Sequence, residues 1–256
     1  MHTDETIGNH AVCLGEIWVD CFAEQSSVEH HEQTSWVPLP GGSPANIACA
    51  LAKLGNAAAF VGAVGQDHWG NALVQLLADM GVATQGVQRR HKAPTRKVYI
   101  TESLSSGKRE ISKRASAPLE DLVSQDLGSQ DSVPTNLLAE LSPGKQREFR
   151  EKAFAGFNAK DPGVFADAHL FAAGLADDVF ANANLLVLGT VPLAYTDTRE
   201  SVLQAVSLAS QYNLLVWLDI NWQPMFWRSP LEAPGHIYDL IRQVRFLKLS
   251  EAEASW

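Results

Sequence analysis

Basic residues are scarce in this chain, and that is the first constraint on its function. Across 256 residues, 20 Lys+Arg stand against 29 Asp+Glu, a formal net charge of −9. Nucleic acids and anionic bilayers both select for a basic face, so neither partner class fits. Cysteine is rarer still. Cys13, Cys21 and Cys49 are the whole supply, odd in number and without a C-x-x-C spacing. That argues against a disulfide framework or a zinc site and leaves small buried thiols. No apolar run approaches the ~20 residues that cross a bilayer. The polar, acidic Met1–His10 stretch has no basic and apolar leader pattern. A soluble cytoplasmic protein is the expectation. A G-x-G-x-x-G turn is also missing, which argues against a dinucleotide-dependent oxidoreductase.

What is present alternates short apolar runs with amphipathic stretches. Ala11–Val19 (AVCLGEIWV) reads as a first strand, Ala57–Val64 as a buried strand and Lys97–Thr101 as a short one. Leu185–Leu188, Leu214–Leu218 and Phe246–Leu249 are further apolar runs of buried-strand type. Pro44–Leu54 reads as a helix with Ile47, Leu51 and Leu54 on one stripe. Ser43 is its expected N-cap, Pro44 suits the first helical position, and Gly55 suits the stop. Trp69, Leu73, Leu76 and Met80 stripe a second helix that Gly81 ends. A third spans about Thr198 to Gln211, with Val202, Ala205, Val206 and Ala209 inward. Strand–helix–strand alternation with apolar strands predicts an α/β fold around a mostly parallel sheet covered on both faces.

Two segments break this rhythm. Ser103–Lys152 is polar, holds no clear strand and is too long for an ordinary connection. It reads as a lid or an inserted loop, with a possible short helix at Leu137–Leu141. At the other end, FLKLSEAEASW looks like a strand entering a helix whose apolar face has barely begun, so the chain reads as cut short.

Chemistry concentrates in Pro40–Gly55 (PGGSPANIACALAKLG). Gly41-Gly42 lets a backbone approach a ligand closely, and the helix that follows points free N–H groups into the same space. Asn46 can donate to and accept from hydroxyls. Such a corner suits a polyhydroxy compound. Asp20 closes the run EIWVDCF, where a carboxylate at the carboxyl end of a central strand meets ligands and can accept from two adjacent hydroxyls. Each feature also has a structural use, as a turn with a helix cap or as a local backbone cap. Glu16, in the same run, has an orientation that depends on whether the strand is regular, and its role stays open. His30-His31 reads as a solvated loop, and Trp217, Trp222 and Trp227 as core or pocket wall.

GGSPANIACALAKLG followed by FVGAVGQDHWG resembles the first signature of the PfkB, or ribokinase-like, family of carbohydrate kinases. Gly41, Gly42, Asn46, Ala48, Leu51, Leu54, Gly55, Gly62, Gly65, Asp67 and Gly70 all stand in register. VLGT at Val187–Thr190 and LDINWQPMFW at Leu218–Trp227 look like its fructokinase branch, with Gln223 where that branch has Arg. KLSEAEASW is similar to the family's N-x-x-E segment, with Ser250 for Asn and Glu253 matching Glu. GKRE at Gly107–Glu110 and REFREKAFAGF at Arg147–Phe157 look like lid fragments.

The resemblance implies a ribokinase-like three-layer α/β/α sandwich with a small β lid. One domain would span 1–256, with lid and insertion at about 97–157. It implies transfer of the γ-phosphoryl group of ATP to a hydroxyl of a sugar such as fructose, with Mg²⁺. Asp20, Gly41, Gly42 and Asn46 would hold the sugar. Asn221 and Glu253 would lie with phosphate and Mg²⁺, and lids of this family often pair in a homodimer. The family's D-T-x-G-A-G-D run, whose last Asp is the catalytic base, is expected beyond Trp256. The chain as it stands is therefore expected to be inactive, and a non-catalytic sugar-binding remnant is the alternative.

Overall fold

A computed structural model describes residues 10–23, 35–104 and 150–254. In chain order the elements are β1 (His10–Leu14), β2 (Trp18–Ala23), β3 (Trp36–Gly41), α1 (Ser43–Lys53), β4 (Ala57–Gly65), α2 (His68–Asp79) and β5 (Ala83–Arg90). They continue with β6 (Lys97–Leu104), β7 (Arg150–Phe157), α3 (Asp177–Ala181), β8 (Leu185–Gly189) and α4 (Thr196–Gln211). The last are β9 (Leu215–Asp219), α5 (Ala233–Ile241), β10 (Phe246–Lys248) and α6 (Glu251–Ala254). None of the described helices is long and apolar enough to cross a membrane.

The described residues form two compact units. The first comprises Met1–Val19, Leu39–Lys97 and Asp161–Trp256. Its six strands run β10-β9-β8-β1-β4-β5 and every pairing is parallel. The expected parallel sheet is therefore present. Its central strands are apolar throughout because both faces are covered. Val12, Cys13, Phe60, Val64, Leu186 and Leu188 are all fully or almost fully buried. α4 turns Val202, Ala205, Val206 and Ala209 inward, the face its periodicity predicts.

α1 departs from expectation in two ways. Gly42, not Ser43, is its N-cap. The buried side is Pro44, Ala45 and Ala48, while Leu54 is 78% exposed. Small residues let the helix axis lie close to β1 and β4, so the alanine face wins over the larger Ile47–Leu51–Leu54 stripe. Gly55 does end the helix, with φ +83.

The second unit comprises Asp20–Pro38 and Val98–Lys160. A four-stranded sheet of order β3-β2-β6-β7 supplies its structure, with β6 and β7 antiparallel. Trp36 meets Tyr99 edge to face at 4.8 Å between ring centroids. Ser103–Lys152 was expected to hold no strand, yet Ser103 pairs with Glu151 at the ends of β6 and β7. Polar composition hid these strands because one hairpin-like pairing needs little apolar surface per residue. The possible helix at Leu137–Leu141, the GKRE fragment and His30-His31 lie outside the described residues.

The apolar run Ala11–Val19 was expected to be one strand. It is two. β1 stops at Leu14, Gly15–Ile17 turn away, and β2 begins at Trp18 in the other sheet. Gly15 sits at φ +157 with its N–H donated to Val61 O at 3.0 Å, and a Cβ there would lie 2.5 Å from Pro44 Cγ. The glycine that looked like part of a strand is the break.

Candidate functional site

From β1 the chain winds outward to β4 and β5, and from β8 it winds the other way to β9 and β10. β1 and β8 are neighbours, so the connections diverge between them. In a parallel sheet that point leaves a crevice outside the carboxyl ends of the strands. Glu16 follows β1 there, Gly189 ends β8, Asp219 ends β9, Lys248 ends β10, and the N-terminus of α1 points into the same edge.

Gly42 sets the geometry of this corner. Its φ is +106, and a Cβ would lie 2.3 Å from Glu16 O, so no other residue fits. Asn46 closes the first helical turn, its N–H donating to Gly42 O at 3.0 Å, and its side chain is exposed. Ser43 donates twice, from its backbone N–H to Glu16 Oε1 and from its hydroxyl to Asp219 Oδ2, each at 3.1 Å. Lys248 Nζ donates to both oxygens of the buried Asp219 at 2.9 Å. Glu16 is buried, and only Oε1 is hydrogen-bonded; Oε2 has no partner. Burial pushes its carboxyl up to about 8, although its own backbone N–H and that of Ser43 pull the other way.

Asn221 and Glu253 meet at the same edge. Asn221 adopts φ +39 just after β9, and its Oδ1 accepts from Gln223 Nε2 at 3.3 Å. Glu253 Oε1 accepts from Trp222 N and Oε2 from Ser250 N, both at 2.6 Å, while Ser250 Oγ accepts from Glu253 N at 3.3 Å. The latter two bonds form a capping box at the start of α6. Burial raises the Glu253 carboxyl, but the N–H groups of Ser250 and Trp222, the Ser250 hydroxyl and nearby Lys248 outweigh it, so its pKa lies below the usual range. Both oxygens hold backbone. Among the described residues, no three His, Cys, Asp or Glu side chains are grouped to hold a metal ion. The residues present do not by themselves make a Mg²⁺ site.

Gly41, Gly42, Asn46, Asn221 and Glu253 all fall in the first unit, on the carboxyl edge of its sheet. Asp20 does not close a central strand as expected. It lies within β2, in the second unit. The carboxylate that follows the central strand is Glu16, whose role the sequence left open. Its signal was there: one charged residue after a glycine in an otherwise apolar run.

A second buried pair had no such signal. Arg96 is completely buried. Its Nε donates to both oxygens of Asp167 at 3.1 and 2.9 Å, and its Nη2 to Pro162 O at 2.9 Å and Tyr195 Oη at 3.0 Å. Phe165 and Phe226 present ring faces at 4.5 and 5.0 Å. Arg96 O also accepts from Val19 N at 3.0 Å. These partners are spread along the chain, and no local pattern announces them.

Comparison with known proteins shows which family and fold this chain is similar to. Residues 9–131 match the model for "pfkB family carbohydrate kinase". A relative named probable fructokinase-5 from Arabidopsis thaliana is 39% identical over 245 residues, which is 96% of this chain and 61% of the relative. Fructokinase-2 of rice (Oryza sativa subsp. japonica) is 26% identical over 97% of this chain and 60% of its own length. Among solved structures, fructokinase with bound ATP from Xylella fastidiosa superposes with a TM-score of 0.70 at 22% identity. That match covers 96% of this chain and 59% of the other. The fold is thus the ribokinase-like α/β fold of these neighbours. The chain spans about three-fifths of the length of the curated relatives it matches.

Proposed function

We propose that the chain belongs to the pfkB family of carbohydrate kinases, on its fructokinase branch, and carries the acceptor half of a sugar kinase. In this reading a sugar such as fructose presents a hydroxyl to the γ-phosphoryl group of ATP. The glycine corner carries the proposal. Gly42 brings bare backbone to a helix N-terminus at the switch point, with exposed Asn46 one turn along. A polyhydroxy ligand is held by free N–H groups of a helix start and by an exposed amide of this kind. Gly41 and Gly42 approach the sugar and Asn46 hydrogen-bonds its hydroxyls, while Asp20, in the other unit, is a separate candidate tested by substitution.

The donor side is assigned to ATP with Mg²⁺. Bound on the phosphates, Mg²⁺ would supply charge neutralisation for phosphoryl transfer. Asn221 and Glu253 would serve that side, Glu253 by fixing the loop after β9 through Trp222 N. The sequence contains no G-A-G-D run, so for these 256 residues alone we expect sugar binding without turnover. A missing general base costs typically 10²–10⁴-fold. Cytoplasmic location and a homodimer through the lid belong to the same proposal. Sedimentation velocity tests the dimer, and a monomer at micromolar concentration refutes it.

Calorimetry with fructose tests the acceptor site. Saturable binding is expected, weakened at least tenfold in Asp20→Ala; affinity within twofold of wild type in that variant removes Asp20 from the site. Fructose-dependent ADP release is then measured on this chain and on one extended by a segment bearing G-A-G-D. Turnover only in the longer chain is expected. Equal turnover in both would show that the proton acceptor lies within these residues.

A further inference from the structure

We propose that Glu16 is a positioning residue for the glycine corner: its buried carboxyl group fixes the first turn of α1, which carries Gly42, Ser43 and Asn46. The functional half of this inference rests on that corner being the sugar site; the structural half stands without it.

α1 has no cap of its own. Gly42 offers no side chain, no side-chain cap bond is made, and the first turn holds no acidic residue. Helix N-termini leave several N–H groups without intrahelical partners. Here one is supplied from outside, Glu16 Oε1 accepting from Ser43 N at 3.1 Å. Glu16 also grips the turn from below, since its carbonyl oxygen lies where Gly42 would place a Cβ. Preceding Gly15 and following Pro44 are packed equally tightly, with 2.5 Å between Pro44 Cγ and a Cβ built on Gly15. The chain before, at and after Glu16 therefore meets the chain before, at and after Ser43.

The side chain is 2% exposed, and its second oxygen, Oε2, is buried without a hydrogen-bond partner. That oxygen lies 3.7 Å from where Gly189 would place a Cβ. A group so enclosed does not touch a ligand, so its part is to hold the turn. Its charge state follows from the same enclosure. Burial keeps the acid protonated up to about pH 8; nearby Asp167 reinforces this and Arg96 opposes it. Tyr195 faces it too, and feels its charge. Asp219 approaches only through Ser43 Oγ. A neutral acid accepting one N–H is a role that glutamine can copy. Once ionised, the carboxylate in a dry site draws in water and loosens the turn.

Glu16→Gln and Glu16→Ala separate this role from general packing. Two readouts are taken at pH 7 and pH 9.5: amide exchange of residues 41–46 relative to the intrinsic rate, and the fructose Kd. Wild type should lose protection of Ser43 N–H about tenfold between the two pH values. Glu16→Gln should keep it at both, with a Kd within twofold of wild type at pH 7. Glu16→Ala should lose it already at pH 7 and raise the fructose Kd at least tenfold. Protection in Glu16→Ala equal to wild type overturns the proposal. If Glu16→Ala does not fold, Glu16→Gln decides alone, and an alkaline loss as large as wild type overturns the proposal. If wild type binds no fructose, the sugar reading of the corner fails, while exchange at Ser43 still decides the role of Glu16.

Discussion

Arg96 shows how much a single residue can hold without advertising it. A guanidinium taken wholly out of water is tolerable only with a carboxylate and further acceptors around it. Asp167, Pro162 O and Tyr195 Oη supply them, and the Phe165 and Phe226 rings line the remaining faces. Burial alone would lower the Arg96 pKa, but Asp167 and Tyr195 more than reverse it. Removing the anion strands the cation. Asp167→Ala is therefore expected to cost ~3–5 kcal/mol, the range for breaking a buried pair from one side. Urea unfolding monitored by tryptophan fluorescence measures it, and a loss below ~1 kcal/mol would show that the guanidinium finds water instead. Neither residue was legible beforehand, because the pairing joins positions 71 apart. Gly42 was legible, since a glycine pair before a helix-forming run has few other uses. Asp20 was half legible: the residue was singled out, but the break at Gly15 put it in a different sheet.

Helices and strands were read well where one physical rule dominated and poorly where two competed. β4 and β8 are apolar from end to end because a parallel sheet buries both faces, and their positions followed directly. In α1, apolar periodicity competed with close approach, and the small face won. Two substitutions measure that outcome. Ala48 is fully buried against the sheet, so Ala48→Leu should overpack the contact and destabilise by ~1–3 kcal/mol. Leu54 projects into solvent, so Leu54→Ala should stay within ~0.5 kcal/mol. Equal effects at both positions would restore the leucine stripe as the buried one. At α6 the S-x-x-E spacing was visible, though its meaning came from family resemblance rather than from helix capping. The pair forms a reciprocal cap whose carboxylate also holds Trp222 N. Ser250→Ala removes the hydroxyl that accepts from Glu253 N and bonds its carboxylate, and a loss of ~1 kcal/mol in thermal unfolding is expected.

Among the described residues, titrating groups carry shifts of opposite sign, and these shape where the chain is most stable. The folded state raises the Glu16 carboxyl from 4.5 to about 8. A raised acid binds its proton more tightly folded than unfolded. Its contribution is complete below pH 4.5 and is lost as pH climbs through about 8. Cys13 (pushed up to about 12 by burial and by nearby Cys49) and Tyr195 (raised chiefly by burial) act in the same direction, with losses that begin only above pH 9. Glu253 is shifted downward, as is the exposed Asp161 through Gly163 N–H and Arg228, so their stabilisation is present above the ordinary carboxylate range and lost as pH falls below it. The melting temperature should therefore peak near pH 5 and fall on both sides. The decline from pH 5 to pH 8 belongs to Glu16 and amounts to a few kcal/mol at most, on the order that burial of one carboxyl allows. Calorimetric scans from pH 3 to pH 10 on wild type and Glu16→Gln resolve the contributions. The variant should lose the decline between pH 5 and pH 8, keep the acid limb set by Glu253, and keep the late alkaline limb set by Cys13 and Tyr195. An unchanged decline in Glu16→Gln would move the titration to another group and leave the cap on α1 indifferent to charge.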